Sequence, residues 1–276
     1  MLNCGGKTLD TSQPQVMGIL NVTPDSFSDG GIFLSVESAL VQARRMVNEG
    51  AVIIDVGGES TRPGAATVTA WQEMDRVVPV IEAIQRELPV IISIDTSKPD
   101  VMCAAVAAGA GMINDVRALC EEGALQAAAR CTVPVCLMHM QGEPRSMQQA
   151  PQYEDVVAEV VAFLVGRITV CVAAGIPRAH LIIDPGFGFG KALGHNLSLL
   201  KHLDAFQSLA LPVLVGMSRK SMIGAALGQP VEQRLPASIA LAALAVWQGA
   251  TIIRVHDVQA TVDAVKMTWA VKKQNQ

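Results

Sequence analysis

Val90-Ile91-Ile92-Ser93-Ile94-Asp95 is a short apolar run closed by a carboxylate, and the same design recurs seven more times along the chain. The other runs are Val16–Leu20, Ala51–Ile54, Gly111–Ile113, Val133–Met138, Leu181–Ile183, Val213–Met217 and Thr251–Val255. Each ends on or beside a polar residue: Asn21, Asp55, Asn114, His139, Asp184, Ser218 with Lys220, and Arg254 with His256. Continuous apolar runs suit parallel strands buried on both faces, and helical patterning fills the intervals between them. Strand–helix alternation repeated eight times predicts an α/β fold, the (β/α)8 or TIM barrel. That fold builds its reactive site at the carboxyl ends of the strands. The polar endings should therefore converge on one mouth.

Composition agrees with a single barrel spanning residues 1–276, a normal length for that fold. Apolar residues make up 50% of the chain and aromatics only 4%, so the core must be built from Ala, Val, Ile and Leu. A net charge of −4 argues against a nucleic-acid partner, which needs a basic surface, while leaving room for a small anion held by local cations. The nearly uncharged stretch around Val101–Ile113 is too short and glycine-interrupted to span a membrane. No signal-peptide pattern opens the sequence. The six cysteines show no CxxC or Cys/His metal spacing, which fits reduced thiols in a cytoplasmic protein.

Several helix ends can be read directly. Ser35 is expected to cap a helix over 36–49, stopped by Gly50. Thr69 with Gln72 forms a capping box for a helix reaching about Glu87, before Pro89. Gly109 and Gly175 should end two further helices. Residues 21–33 and 59–68 are rich in Gly, Pro, Ser, Thr and Asp and are expected as mobile loops over the mouth. Residues 1–15, with Gly5-Gly6 as a hairpin turn, should form an extension that caps the amino end of the barrel.

The mouth must supply the chemistry. Asp95, Asn114 and Asp184 each sit at a strand end, where an Asp can equally serve as a helix cap. Three such groups in one cavity suit a flat heterocycle with adjacent N–H donors, because a carboxylate accepts two parallel N–H bonds. The cations are Arg62, Lys220, Arg254 and His256. Arg254 lies inside an apolar run, where an unpaired guanidinium would be costly, so it should meet an anion. With Asn21 nearby, the group reads as a phosphate pocket. The segment 184–191, Asp-Pro-Gly-Phe-Gly-Phe-Gly-Lys, departs from the Walker A pattern at Pro185 and Ala192. It reads better as a glycine-lined exit that lets a ring approach the backbone. Ser218-Arg219-Lys220-Ser221 leads into a helix start, where backbone N–H groups favour an anion. His139 has no nucleophile beside it in sequence, and His180, His195 and His202 read as surface or packing residues. A reaction driven by departure of a stabilised anion is therefore indicated, rather than one using a protein nucleophile.

Asn21-Val22-Thr23-Pro24-Asp25-Ser26-Phe27-Ser28-Asp29-Gly30-Gly31 and Asp55-Val56-Gly57-Gly58-Glu59-Ser60-Thr61-Arg62-Pro63-Gly64 carry a resemblance to a known family. Joined by Ile94-Asp95-Thr96, Ile113-Asn114-Asp115, the Asp184 loop, 218–221 and Arg254-Val255-His256-Asp257, they resemble the dihydropteroate synthases of the bacterial folate pathway over essentially the whole chain. The resemblance implies condensation of (7,8-dihydropterin-6-yl)methyl diphosphate with 4-aminobenzoate, with loss of pyrophosphate. It assigns Asp95, Asn114, Asp184, Lys220, Met138, Phe189 and Gly216 to the pterin. It assigns Asn21, Thr61, Arg62, Arg254 and His256 to the diphosphate, with Asn21 also on Mg2+. Phe27, Pro63, Lys220 and Ser221 go to 4-aminobenzoate, and Asp25, Asp29, Arg62 and Lys220 are the catalytic set. Sulfonamides are implied as inhibitors and a homodimer as the assembly. Two other readings share the barrel: a methyltetrahydrofolate methyltransferase, which needs no diphosphate cluster, and a pterin-binding paralogue without activity.

Overall fold

Alternation within the strands sorts the side chains into two cores. The computed structural model describes residues 1–23, 31–60, 67–142, 147 and 150–275. A hairpin of β1 (Leu2–Cys4) and β2 (Lys7–Leu9) precedes eight parallel strands. These are β3 (Gln15–Asn21), β4 (Ile53–Gly57), β5 (Ile91–Asp95), β6 (Met112–Asp115), β7 (Val135–Met138), β8 (Leu181–Asp184), β9 (Leu214–Val215) and β10 (Ile252–Val255). Neighbours pair in chain order, β10 pairs with both β3 and β9, and a bridge from Ile183 to Val213 joins β8 to the β9 segment and closes the ring. Nine helices surround it among the described residues: α1 (Gly31–Asn48), α2 (Ala70–Glu87), α3 (Pro99–Ala107), α4 (Ala124–Cys131), α5 (Val156–Ala173), α6 (Leu193–Lys201), α7 (Ser221–Leu227), α8 (Leu235–Trp247) and α9 (Val258–Lys272). The expected TIM barrel is the fold found.

One residue from each barrel strand forms the lower interior: Met17, Ile53, Ile91, Met112, Cys136, Ile182, Leu214 and Ile252. Leu2, Cys4 and Leu9 of the hairpin pack on this layer and fill the amino end. Residues one step along each strand, such as Ile54, Ile92, Ile113 and Ile253, face the helices and join the larger outer core. Two steps along, the side chain returns to the interior. On β4, β6, β7, β8 and β10 that position holds Asp55, Asn114, Met138, Asp184 and Arg254. The strands thus change from an apolar floor to a polar mouth within one repeat of the pleat.

Local signals account for most helix boundaries. Thr69 accepts from Gln72 N at 3.2 Å while the Gln72 side chain accepts from Thr69 N at 3.0 Å, which completes the capping box. Gly50, Gly109 and Gly175 take positive φ after α1, α3 and α5. The expected Ser35 cap is a correction: α1 starts at Gly31, because no proline or other breaker separates Gly31 from Ser35. Of residues 21–33, expected as a loop, Asn21 closes β3 and Gly31, Ile32 and Phe33 belong to α1, while residues 24–30 lie outside the described residues. β4 also begins and ends later than its apolar run, so Asp55 lies within the strand rather than after it. By length and composition alone α5 could cross a membrane, yet its Val156, Val160, Leu164, Ile168 and Cys171 are packed into the outer core of the barrel.

Candidate active site

Asp55 Oδ2 is the meeting point of the polar mouth. Arg254 Nε donates to it at 2.6 Å and Asn114 Nδ2 at 3.0 Å, while Arg254 Nη2 donates to Asp95 Oδ2 at 2.6 Å. The anion that Arg254 was expected to meet is therefore, in this state, a pair of carboxylates. Asp55 is fully buried and Arg254 keeps only 20% of its side chain exposed, so both ions lie largely out of water. Burial works against the Arg254 cation, but Asp55 and Asp95 outweigh it and raise its pKa. Burial lifts Asp95 to about 7 against the pull of Arg254, with Asp55, Glu73 and Asp115 adding to the rise. Asp95 therefore changes state near neutrality.

Asp184 is buried opposite this group, and burial raises its pKa too. Its Oδ1 accepts from Gly186 N at 2.7 Å, which folds the glycine-rich exit back over the strand end. Gly186, Gly188 and Gly190 all have positive φ. A Cβ on Gly186 would fall onto the His139 carbonyl oxygen, and one on Gly190 onto that of Gln141. The turn presents the Phe187 carbonyl to Lys220 Nζ and sets the Phe189 ring 4.2 Å from that ammonium. Burial lowers Lys220 to about 8, with Asp184 opposing the shift, so it remains a cation at neutral pH. Gly216 leaves its wall open to Arg254, whose Cβ lies 3.8 Å from where a Gly216 Cβ would sit.

Sequence reading missed Lys191 as a buried cation. Its ammonium bonds to Gly186 O at 2.9 Å, Phe189 O at 3.0 Å and His139 Nδ1 at 3.0 Å, tying the glycine turn to the end of β7. Burial lowers Lys191 to about 7. Burial, followed by the Lys191 charge, lowers His139 to about 3, so its imidazole is neutral. Glu59, Glu73 and Lys98 were missed as well. Lys98 Nζ bridges Glu59 and the buried Glu73, reaching the latter at 2.5 Å. Long sequence separations hid both groups.

Around the rim, Ser218 Oγ accepts from His256 N at 3.2 Å and lies 3.1 Å from His256 Nδ1, which orients the ring. Arg219, at positive φ, forks onto Asp257 with Nε–Oδ2 at 2.8 Å. Ser221 opens α7 and is exposed, and Asn21 is exposed at the end of β3. Met138 is buried at the end of β7. Asp95, Asn114, Asp184, Lys220, Met138, Phe189, Gly216, Arg254, His256, Ser221 and Asn21 thus all lie at strand ends or in the segments that follow them. Asp25, Phe27, Asp29, Thr61, Arg62 and Pro63 lie outside the described residues.

The chain that builds this mouth is similar in sequence and fold to known proteins. Residues 17–256 match the family model described as pterin binding enzyme. The dihydropteroate synthase of Escherichia coli K12 is 57% identical over 265 residues, covering 96% of this chain and 94% of that protein. The Yersinia pestis dihydropteroate synthase in a sulfonamide complex superposes with a TM-score of 0.93 at 55% identity, covering 97% of each chain. The Xanthomonas albilineans enzyme in complex with 7,8-dihydropteroate gives 0.90 at 50% identity, over 99% of this chain and 98% of that one. The chain belongs to the dihydropteroate synthase family of pterin-binding enzymes.

Proposed function

We infer that this chain is a transferase that condenses (7,8-dihydropterin-6-yl)methyl diphosphate with 4-aminobenzoate, giving 7,8-dihydropteroate and pyrophosphate for folate biosynthesis. The observation that carries this is that the cation Arg254 is bonded directly to Asp95, an acceptor for a ring edge, and through the Asp55 carboxylate to the Asn114 amide. Asp95, Asn114 and Asp184 hold the pterin edge, Met138, Phe189 and Gly216 bound its faces, and Lys220 bonds from above. Arg254, His256 and Asn21 hold the diphosphate, together with Thr61 and Arg62 on the family resemblance. Ser221 receives the aminobenzoate carboxylate beside Lys220, with Phe27 and Pro63 flanking its ring and Asp25 and Asp29 on the first loop.

Chemistry follows from this layout. The electron-rich dihydropterin delocalises positive charge as its methylene C–O bond breaks, and the bond electrons leave with pyrophosphate. The aniline nitrogen then forms the new C–N bond and loses a proton. Cations aimed at the departing oxygens stabilise that charge electrostatically, so no covalent enzyme intermediate is needed. No cluster of three His, Cys, Asp or Glu suited to a metal occurs among the described residues. Mg2+ commonly uses one or two protein oxygens and completes its shell with substrate phosphates, and the Asn21 amide oxygen at the rim fits that use. When bound, the ion supplies charge neutralisation on the leaving group. Filling the ring pocket before the aminobenzoate pocket gives an ordered sequence, pterin first.

Incubating the protein with the pterin diphosphate, 4-aminobenzoate and Mg2+ should release pyrophosphate in step with dihydropteroate. Turnover without pyrophosphate would favour a methyltransferase-like enzyme, and binding without turnover an inactive paralogue. Sulfonamides are expected to compete with 4-aminobenzoate, as the complex of the Yersinia pestis relative supports. A rate insensitive to sulfonamide at subsaturating 4-aminobenzoate would refute this. Pterin affinity should rise as pH increases through about 7, where Asp95 loses its proton and becomes the acceptor. A flat calorimetric profile from pH 6 to 8 would remove Asp95 from that role. The free cysteines support a reducing, cytoplasmic setting. Exposed Leu244 and Trp247 on α8, with Met267 and Val271 on α9, support a homodimer, which sedimentation would test.

A further inference from the structure

Asp55 has been given no role in substrate binding, yet it sits where the two halves of the site meet. One of its oxygens accepts from Asn114, the amide assigned to the ring, and from Arg254, the cation assigned to the diphosphate. Arg254 in turn reaches Asp95, the ring acceptor, so four side chains from β4, β5, β6 and β10 form one bonded unit. Asp55 itself is fully buried within its strand and is held from several sides. Its second oxygen, Oδ1, has no partner in the structure, and Ser93, its partner in the β4–β5 register, has an equally unmatched buried Oγ. A buried carboxylate with an unmatched oxygen detracts from folding stability. Its pairing with Arg254 offsets part of that cost, and the same bonds fix where Arg254 and Asn114 stand.

We propose that Asp55 is a positioning residue for the reaction, locking Asn114 and Arg254 at a fixed separation. The proposal rests on the reading of the site given above. The bond that breaks lies between the ring and the diphosphate. Charge passes into the ring only if that bond stands across the ring plane, so the holders of the two ends must not drift relative to each other. Misplacement of reacting groups lowers turnover even when ground-state binding survives.

This separates a positioning role from a structural one. Asp55→Asn keeps the shape and an amide oxygen but removes the charge that fixes Arg254. It is expected to lower kcat by about tenfold or more, while KM for the pterin diphosphate stays within about threefold or falls, because the freed guanidinium still attracts the anion. Asp55→Ala should lower kcat further. A kcat for Asp55→Asn within about twofold of wild type, or a raised KM at unchanged kcat, would overturn the proposal. If neither Asp55 variant folds, Asn114→Ala, Arg254→Lys and their double variant replace them. Losses in kcat that fall short of additive are expected for two groups held by one oxygen, and additive losses overturn the proposal. A wild-type enzyme that releases no pyrophosphate overturns the reading of the site and this proposal together. A working wild type with an indifferent Asp55→Asn overturns only the latter.

Discussion

Arg254→Ala is expected to lose about 3–5 kcal/mol of folding stability, because removing one partner of a buried ion pair strands the other. Here two carboxylates are stranded, Asp55 with no exposure and Asp95 with 11%. The loss should depend on pH in a definite direction. Asp95 already holds its proton to higher pH than in the unfolded chain because it is buried, and without the guanidinium that opposes this shift it does so further. Such groups favour the fold below the unfolded carboxylate pKa, and that benefit is lost as pH rises through the folded value. The deficit relative to wild type should therefore be largest above pH 8 and shrink toward pH 5. Urea unfolding at three pH values measures it, and a deficit independent of pH would contradict the charge pairing. Affinity for pyrophosphate with Mg2+ should fall more than affinity for a pterin lacking the diphosphate. Equal losses would argue against Arg254 as an anion ligand.

Asp184→Ala should weaken pterin binding by about 1.5–3 kcal/mol, the value of a hydrogen bond to a charged group, or roughly tenfold to a hundredfold in affinity. Part of that loss has a second origin. Asp184 Oδ1 also holds Gly186 N, so alanine frees the turn that carries Phe187 and Phe189 toward Lys220. Asp184→Asn keeps an oxygen for that backbone bond and removes only the charge. Both variants should lower the Lys220 pKa, since Asp184 holds it up. Calorimetry with a pterin, paired with the pH dependence of binding, separates the two effects. Unchanged affinity in both variants would remove Asp184 from the site.

Strand ends were legible because the period of a strand is short and local. An apolar run that closes on Asp95, Asn114, Asp184 or Arg254 points its last inward side chain at the mouth, whatever the rest of the chain does. The bonds among those side chains were not legible in the same way. Arg254 and Asp55 lie 199 residues apart, and no local pattern says which carboxylate a guanidinium will choose. Arg254 was read correctly as a cation that needs an anion, but its protein partners came only from the closure of β10 against β3. Lys191 was hidden for a related reason. Its sequence context is a polar glycine turn, and only the fold of that turn onto His139 buries it. The start of α1 was misread because Ser35 is a good cap by type, while the backbone had no barrier to continuing to Gly31.

Gly186 and Gly190 press so closely on the carbonyls of His139 and Gln141 that no side chain fits at either position without moving the backbone. The turn they hold carries Phe189 beside Lys220, so its backbone course has almost no freedom to change by mutation. Escape from an inhibitor packed there would have to come from residues nearer the rim. Compounds that pack on the Phe189 ring carried by this turn should consequently keep their potency longer than ones that lean only on the outer loops.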